Sequence, residues 1–290
     1  MVITRITSGL GNQLFQYALG RSLALSTNSP LYLDLSYYQY QYDTDTPRTF
    51  KLDRLGLTYT RLDTSPYRYL SKVARLLPAR WLKPVIQLIS EPHFHVDPAV
   101  LTARASVISL SGFWQSERYF AAHADQIRRD LTAQPRTGHL VSAYKNAIQR
   151  ADVPVSLHIR RGDYVTHPTF SRAFGFIGLD YYRAAIEQLA SRFPTLSLFV
   201  FSDDPAWVAD NFRANVPVVS VVNTGPNADL DDLYLMRHCH HHIIANSSFS
   251  WWGAWLNPRP DKVVVAPRHW FRDKPDWNTT DLLPAGWLRV

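Results

Sequence analysis

Val153-Pro154-Val155-Ser156-Leu157-His158-Ile159-Arg160-Arg161-Gly162-Asp163-Tyr164 is an apolar run that ends in two adjacent arginines. Val153 to Ile159 reads as a strand that delivers the charged cluster at its carboxyl end, which is where open α/β sheets bind ligands. Neighbouring strand residues face opposite ways, so one of Arg160 and Arg161 can face a cleft while the other pairs internally, with Asp163. A guanidinium stays charged and offers a planar fork that fits phosphate with two hydrogen bonds. Two readings stand side by side: a phosphate ligand, or a structural arginine–aspartate pair.

Outward from this stretch, strands and helices alternate in both directions. Downstream, Tyr181 to Phe193 reads as a helix and Leu196 to Phe201 as a buried strand ending in Ser202-Asp203-Asp204-Pro205. Val218 to Val222, His242 to Ala245 and Val263 to Ala266 are further strands, with helices near Asp231 to His238 and after Ser248. Upstream, Val2 to Thr7 is a strand, Gly9-Leu10-Gly11-Asn12 a turn, and the spacing of Leu14, Phe15, Ala18, Leu19, Ser22 and Leu25 predicts a helix before the strand Leu31 to Leu35. Residues 36–60 read as loop, and Tyr67 to Ile89 as helical, broken at Pro78 and Pro84. Val107 to Leu110 is a strand ending in Ser111-Gly112-Phe113-Trp114-Gln115-Ser116, followed by a helix to about Leu131. This rhythm implies helices covering parallel sheets, with a connection at residues 132–138.

The 290 residues, 46% hydrophobic and 19% charged, suffice for two domains with sizeable cores, which excludes a disordered, fibrous or disulfide-stapled chain. The net charge of +7 points to an anionic partner, and nucleic acid, membrane surface and phosphorylated metabolite all fit it. The single cysteine, Cys239, forms no intramolecular disulfide and fits a reducing compartment. The N-terminal residues lack a secretory signal pattern, and no stretch reaches the roughly 18 apolar residues of a spanning helix.

Several clusters invite chemistry. The Gly9–Asn12 turn could aim helix N–H groups at an anion, although Leu14 stands where a dinucleotide fingerprint needs a third glycine. Asp34 is a strand-end acid of unknown role. Asp203 with Asp204, and Asp229-Leu230-Asp231, resemble metal-holding carboxylates, yet each group also sits where acids favour a helix start. His238, His240, His241 and His242 match no zinc spacing and read as the start of a strand. Asn246-Ser247-Ser248, between a strand and a helix, can bind phosphate or simply cap the helix, and the tryptophans that follow read as core.

In order, Gly9-Leu10-Gly11-Asn12-Gln13-Leu14-Phe15-Gln16-Tyr17-Ala18, Gly112 to Ser116, His158 to Tyr164, Phe201 to Asp204 and Ile244 to Trp255 resemble the motifs of the α-1,2-fucosyltransferases of glycosyltransferase family 11. Residues 36–105 match poorly. The resemblance implies a GT-B-like α/β fold: two Rossmann-like domains facing a cleft, with an acceptor-side domain at 1–137 and a GDP-fucose-binding domain at 138–290. It implies transfer of L-fucose from GDP-β-L-fucose to the 2-hydroxyl of a terminal β-galactoside, with inversion, no metal and no cofactor. The partners implied are GDP-fucose and a galactose-terminated, lipid-linked glycan, and no nucleic acid. The similar α-1,6-fucosyltransferases share the shorter motif H-x-R-R-x-D. On these resemblances Arg160 binds the β-phosphate, His158 lies near the base, and Arg161 and Asp163 complete the catalytic cluster. Asp232 accepts from the guanine N–H groups; Gly9, Gly11, Asn12, Asp203, Asn246, Ser247 and Ser248 complete the donor site. The general base stays open.

Two alternatives remain at this point: a metal-dependent transferase using another nucleotide sugar through Asp229 and Asp231, and a basic nucleic-acid-binding protein. The lone cysteine and the absent signal place the enzyme in the cytoplasm. Residues 67–89, with five basic residues and no acid, read either as a solvated helical hairpin or as a peripheral contact with the inner face of an anionic membrane.

Overall fold

The computed structural model describes residues 1–39, 48–76, 78, 84–134, 136–273 and 277–290. The chain divides into two compact units, Met1–Gln134 with Asn278–Pro284, and Pro135–Trp277 with Ala285–Val290. Each is a parallel sheet clad in helices.

In the first unit the strands are β1 (Val2–Arg5), β2 (Leu31–Asp34), β3 (Thr60–Leu62), β4 (Ile86–Ser90) and β5 (Val107–Ser111), in the order β3-β2-β1-β5-β4. Every pairing is parallel, with Val2 opposite Leu31 on one side and Ile108 on the other. The strand order reverses between β1 and β5, which makes the carboxyl ends of that pair the unit's topological switch point. The helix Leu10–Ser26 packs its Leu14, Phe15, Ala18 and Leu19 into the core. Gly20 lets it lie close on β1, because a Cβ there would fall 2.1 Å from Thr4 Oγ1.

Two stretches depart from the sequence reading. Within 36–60, read as loop, Thr60 begins β3, whose first two residues are exposed and which among the described residues pairs with β2 alone. The helical reading of 67–89 holds for Tyr67–Leu76 but fails at Ile86–Ser90, which is β4, in register with β5 from Ile86 opposite Val107 to Ser90 opposite Ser111. Five residues, Ile86-Gln87-Leu88-Ile89-Ser90, carry too little periodicity to separate strand from helix. Residues 77 and 79–83 lie outside the described residues.

In the second unit the strands are β6 (Val153–Ile159), β7 (Leu196–Ser202), β8 (Val218–Val221), β9 (His241–Ile243), β10 (Val264–Ala266) and β11 (Leu288–Arg289), ordered β11-β10-β9-β6-β7-β8, again all parallel. The core gathers Val155, Leu157, Ile159, Leu198 and Val200 against Tyr182, Ala185 and Leu189 of the helix Leu179–Ala190. Here the order reverses between β6 and β9, which places the second switch point at their carboxyl ends.

The helix Ser248–Trp255 carries no charged residue and buries Trp251, Trp252 and Trp255. Trp251 also meets Trp287 at 5.4 Å between ring centroids. Gly253 makes the fit possible: a Cβ would fall 2.6 Å from Met236 Sδ on the helix Ala228–Met236. The tryptophans are core, as their spacing indicated.

Candidate active site

The chain leaving the carboxyl end of β6 delivers Arg160 and Arg161 into different environments. Arg160 Nη2 donates to Asp163 Oδ1 at 2.5 Å and Nη1 to Asp203 Oδ2 at 2.9 Å. Its guanidinium also lies 5.3 Å from the centre of the Tyr164 ring. Arg161 turns away: Nε reaches Asp204 Oδ2 at 3.1 Å, and the guanidinium carbon lies over the Trp207 ring at 3.8 Å from its centre and near Phe176 at 5.2 Å. Both arginines are therefore paired, and Arg160 keeps three N–H groups beyond those two carboxylate contacts.

Asp203 and Asp204 divide the work between them. Asp204 caps the helix Pro205–Asn211 by accepting from Trp207 N at 3.2 Å. Asp203 Oδ1 accepts the Arg161 backbone N–H at 2.9 Å, so one carboxylate ties the tip of β7 to the tip of β6. Gly162 leaves room for it, since a Cβ there would fall 2.3 Å from Asp203 Oδ2.

Across the switch point, β9 leads into Asn246-Ser247-Ser248. Asn246 is buried; its Nδ2 donates to Phe174 O and Trp270 O, both at 3.2 Å, and its backbone carbonyl accepts from Tyr164 Oη at 3.0 Å. Ser247 caps the helix Ser248–Trp255, accepting from Phe249 N at 3.3 Å, and Ser248 is partly exposed at its first turn. Two buried atoms of this region have no partner: Asn246 Oδ1 and His158 Nδ1. Such orphans are costly in a finished interior and mark a place where a ligand's polar groups would be satisfied. Burial, reinforced by Arg160, holds His158 neutral, with its pKa down at about 3. Its ring lies against Phe249 at 5.5 Å.

Asp232 sits in the helix Ala228–Met236 and accepts from Asn223 Nδ2 at 2.7 Å. Burial pushes its carboxyl up to about 7, with Asp229 and Asp231 adding repulsion. Asp231 is spent on Arg136 at 2.7 Å. Among the described residues no group of three or more His, Cys, Asp or Glu side chains is placed to hold a metal ion. The histidine run is structural: His238 Nδ1 meets Tyr234 O, His241 Nδ1 accepts from Val263 N, and His242 bridges Ser156 Oγ and Asn257 Nδ2.

Gly9, Gly11 and Asn12 belong to the first unit, at the end of β1. Gly9 caps the helix Leu10–Ser26 with an ordinary negative φ; the left-handed residue is Ser8, at φ 63°. Asn12 Oδ1 accepts from Gln115 Nε2 at 2.7 Å, which joins this turn to the one after β5. The buried Gln13 and Gln16 rivet it: Gln13 Nε2 donates to Ser8 O and Thr49 O, and Gln16 Nε2 to Thr7 Oγ1 and Gly112 O. Arg48 also lies beside Gly9, within 4.0 Å of where a Cβ would stand. Asp34 closes a loop by accepting from Ser36 N and Ser65 Oγ. None of Gln13, Gln16, Arg48 and Trp207 stands out in the sequence as a site residue; the first two lie inside a quoted motif, and the others carry no local signal.

A family model described as Glycosyl transferase family 11 matches residues 105–288. An Escherichia coli alpha-1,2-colitosyltransferase is 33% identical over 100% of this chain and 99% of its own. The Escherichia coli O-antigen biosynthesis glycosyltransferase WbnK is 34% identical over 98% and 99%. Galactoside alpha-(1,2)-fucosyltransferase 1 of Leontocebus fuscicollis is 29% identical over 51% of this chain and 43% of that protein. Among solved structures, an Arabidopsis thaliana FUT1 mutant in complex with GDP aligns with TM-score 0.50 and 14% identity over 95% of this chain and 72% of that one, a likeness of fold.

Proposed function

Because this chain belongs to glycosyl transferase family 11 and is a glycosyltransferase of GT-B fold, we propose that it transfers L-fucose from GDP-β-L-fucose to the 2-hydroxyl of a terminal β-galactoside, with inversion to an α-1,2 linkage. The observation that carries the reading is the partly exposed Arg160 guanidinium, fixed by two carboxylates beside the β6–β9 switch point with N–H groups to spare. As the bond from the fucosyl carbon to the β-phosphate oxygen breaks, negative charge grows on that phosphate, and a preoriented guanidinium stabilises it without reorganising. The bond to the acceptor oxygen forms on the opposite face, and the proton of the acceptor hydroxyl leaves on that face to water, no residue being assigned as its base. Asp232, when ionised, accepts from the two N–H groups on one edge of guanine, which selects GDP over ADP or UDP. His158 and Asn246 supply unsatisfied polar atoms to the nucleotide or sugar, and the first turn at Ser248 supplies a partly exposed hydroxyl and helix N–H groups.

The full-length match to a colitosyltransferase supports a second donor reading. Colitose is L-fucose without its 3-hydroxyl, so both donors would fit one site that makes little of that group. The acceptor on this proposal is a galactose-terminated glycan carried on a lipid. The helix Tyr67–Leu76 supports that part, exposing Tyr67, Tyr69, Lys72 and Leu76.

The test incubates the purified protein with GDP-fucose, or with the colitosyl donor, and a panel of β-galactosides, with and without excess EDTA, and reads product linkage by NMR. The expected product is α-1,2-linked and unaffected by chelator. Transfer abolished by EDTA and restored by manganese would establish the metal-dependent alternative instead.

A further inference from the structure

The first unit has its own switch point, and the turn beyond β5 is built there with more care than a connection requires. Trp114 adopts φ 58°, a left-handed conformation that a bulky side chain rarely takes. Glu91, directly after β4, holds the turn in that shape: its carboxylate accepts from Phe113 N at 2.6 Å and Trp114 N at 3.0 Å. Burial raises the Glu91 pKa, an expense that its two N–H donors partly offset. Trp114 is fully buried and folds back over Gly112, its Cε2 2.9 Å from where a Cβ would stand, while its indole N–H has no partner. The outcome of this construction is that Phe113 is left 38% exposed, two residues before Gln115, whose Nε2 donates to Asn12 Oδ1.

We infer that Phe113 is the platform of a pyranose-binding subsite, which takes the galactoside acceptor by its apolar face. The chemistry is specific. A β-galactopyranoside carries the C–H groups of carbons 3, 4 and 5 on one face, which suits an aromatic ring, and hydroxyls around its rim, which suit amides such as Gln115 and Asn12. Glu91 is the charged group tied to this turn, and both its carboxylate oxygens are taken by backbone N–H groups, which leaves the Gln115 and Asn12 amides rather than a free charge for a neutral polyhydroxyl ligand.

This inference rests on the proposed reaction for the identity of the sugar, and the experiment separates the two. Saturation-transfer NMR with methyl β-D-galactopyranoside and the full-length protein, without donor, reads binding alone. Galactose H3, H4 and H5 receive the strongest saturation, Phe113→Ala abolishes it, and Phe113→Trp retains it. In steady state Phe113→Ala raises the acceptor KM tenfold or more and leaves the donor KM within twofold. Because Phe113 is exposed, thermal melting of the variant stays at the wild-type value, which guards against misfolding. An unchanged acceptor KM in Phe113→Ala, or an equal rise in both KM values, overturns the subsite. Binding of the galactoside through Phe113 by a protein that fucosylates no galactoside leaves the subsite standing and removes the proposed reaction.

Discussion

Asp203 Oδ2 lies 2.9 Å from Arg160 Nη1, and the same carboxylate's Oδ1 takes the Arg161 backbone N–H. One acid thus sets both the side chain and the strand end that carries it. Arg160→Ala is expected to lower kcat by about 10²–10³, the cost of losing one preorganised charge-stabilising donor. Arg160→Lys recovers little, because an ammonium cannot span two carboxylates and a phosphate in one plane. Near-normal turnover by Arg160→Ala sinks the assignment. Gly162→Ala, which displaces Asp203 without altering a charge, is expected to lower kcat by about tenfold or more while the donor KM changes less.

Arg161 and Trp207 form a stacked pair, with the guanidinium 3.8 Å from the ring centroid. Trp207→Leu removes the π-face and is expected to destabilise the protein by about 1–2 kcal/mol, read as a fall in the urea midpoint at constant m-value. The same change in an Arg161→Leu background should cost less, since the partner is already gone. Additive losses in the double variant would show that the two residues act separately.

Stability should depend on pH through groups whose charged forms the fold disfavours. His242 is buried and held far below the usual histidine range; with Asn257 Nδ2 donating to its Nε2, the Nδ1–H form donates to Ser156. A depressed histidine contributes stability that is intact above the unfolded pKa near 6.5 and lost as pH falls below it, about 1.4 kcal/mol per pH unit. Asp232 has the opposite sign. Its folded pKa of about 7 exceeds the unfolded value near 4, so its contribution is present below pH 4 and lost as pH rises toward 7. Chemical denaturation between pH 5 and 6.5 should therefore give a shallower slope in His242→Asn and a steeper one in Asp232→Asn, each by about 1.4 kcal/mol per unit. Parallel slopes in all three proteins would refute it.

The same carboxyl governs donor binding on the proposed reading. Below about pH 7 Asp232 carries a proton and cannot accept from both guanine N–H groups. GDP affinity measured by calorimetry is expected to weaken up to about tenfold per pH unit below 7. Asp232→Asn should bind weakly at every pH, with no such slope.

Vesicle flotation addresses the helix Tyr67–Leu76. Lys72, Tyr69 and Leu76 are exposed, and Leu70 packs inward against Ile3 and Ile86. The protein is expected to float with vesicles containing anionic lipid and not with neutral ones, and Lys72→Glu with Leu76→Ser should reduce flotation severalfold. Absence of binding to either vesicle retires the contact.

The parts of the fold written in periodic patterns were legible in the sequence: the opening β1–helix–β2 unit, β6 with its arginines, β7 with its acids, and the buried tryptophan helix. What escaped was decided by tertiary partners. Ile86–Ser90 is a strand because β5 lies beside it. Ser8, not a neighbouring glycine, takes the left-handed turn because Gln13 and Tyr38 hold its carbonyl. Trp207, 46 residues after Arg161, becomes its stacking partner only through the β6–β7 pairing. The motif His158–Tyr164 disclosed which residues carry charge, while the pairing of Arg160 with both Asp163 and Asp203 required the register of two strands.

The return of Asn278–Pro284 to the first unit has a consequence for dissecting the gene. Asp281 accepts from Val96 N at 3.0 Å and pairs with Arg118. A fragment ending at residue 137 would thus leave an amide and a guanidinium stranded, and its partner fragment would carry the missing acid on a tail with nowhere to dock. Coexpressed halves should reassemble only by exchanging that tail. A swap of first units between relatives has to carry this seven-residue C-terminal insert along with the N-terminal block, so the first unit is a split cassette in the reading frame.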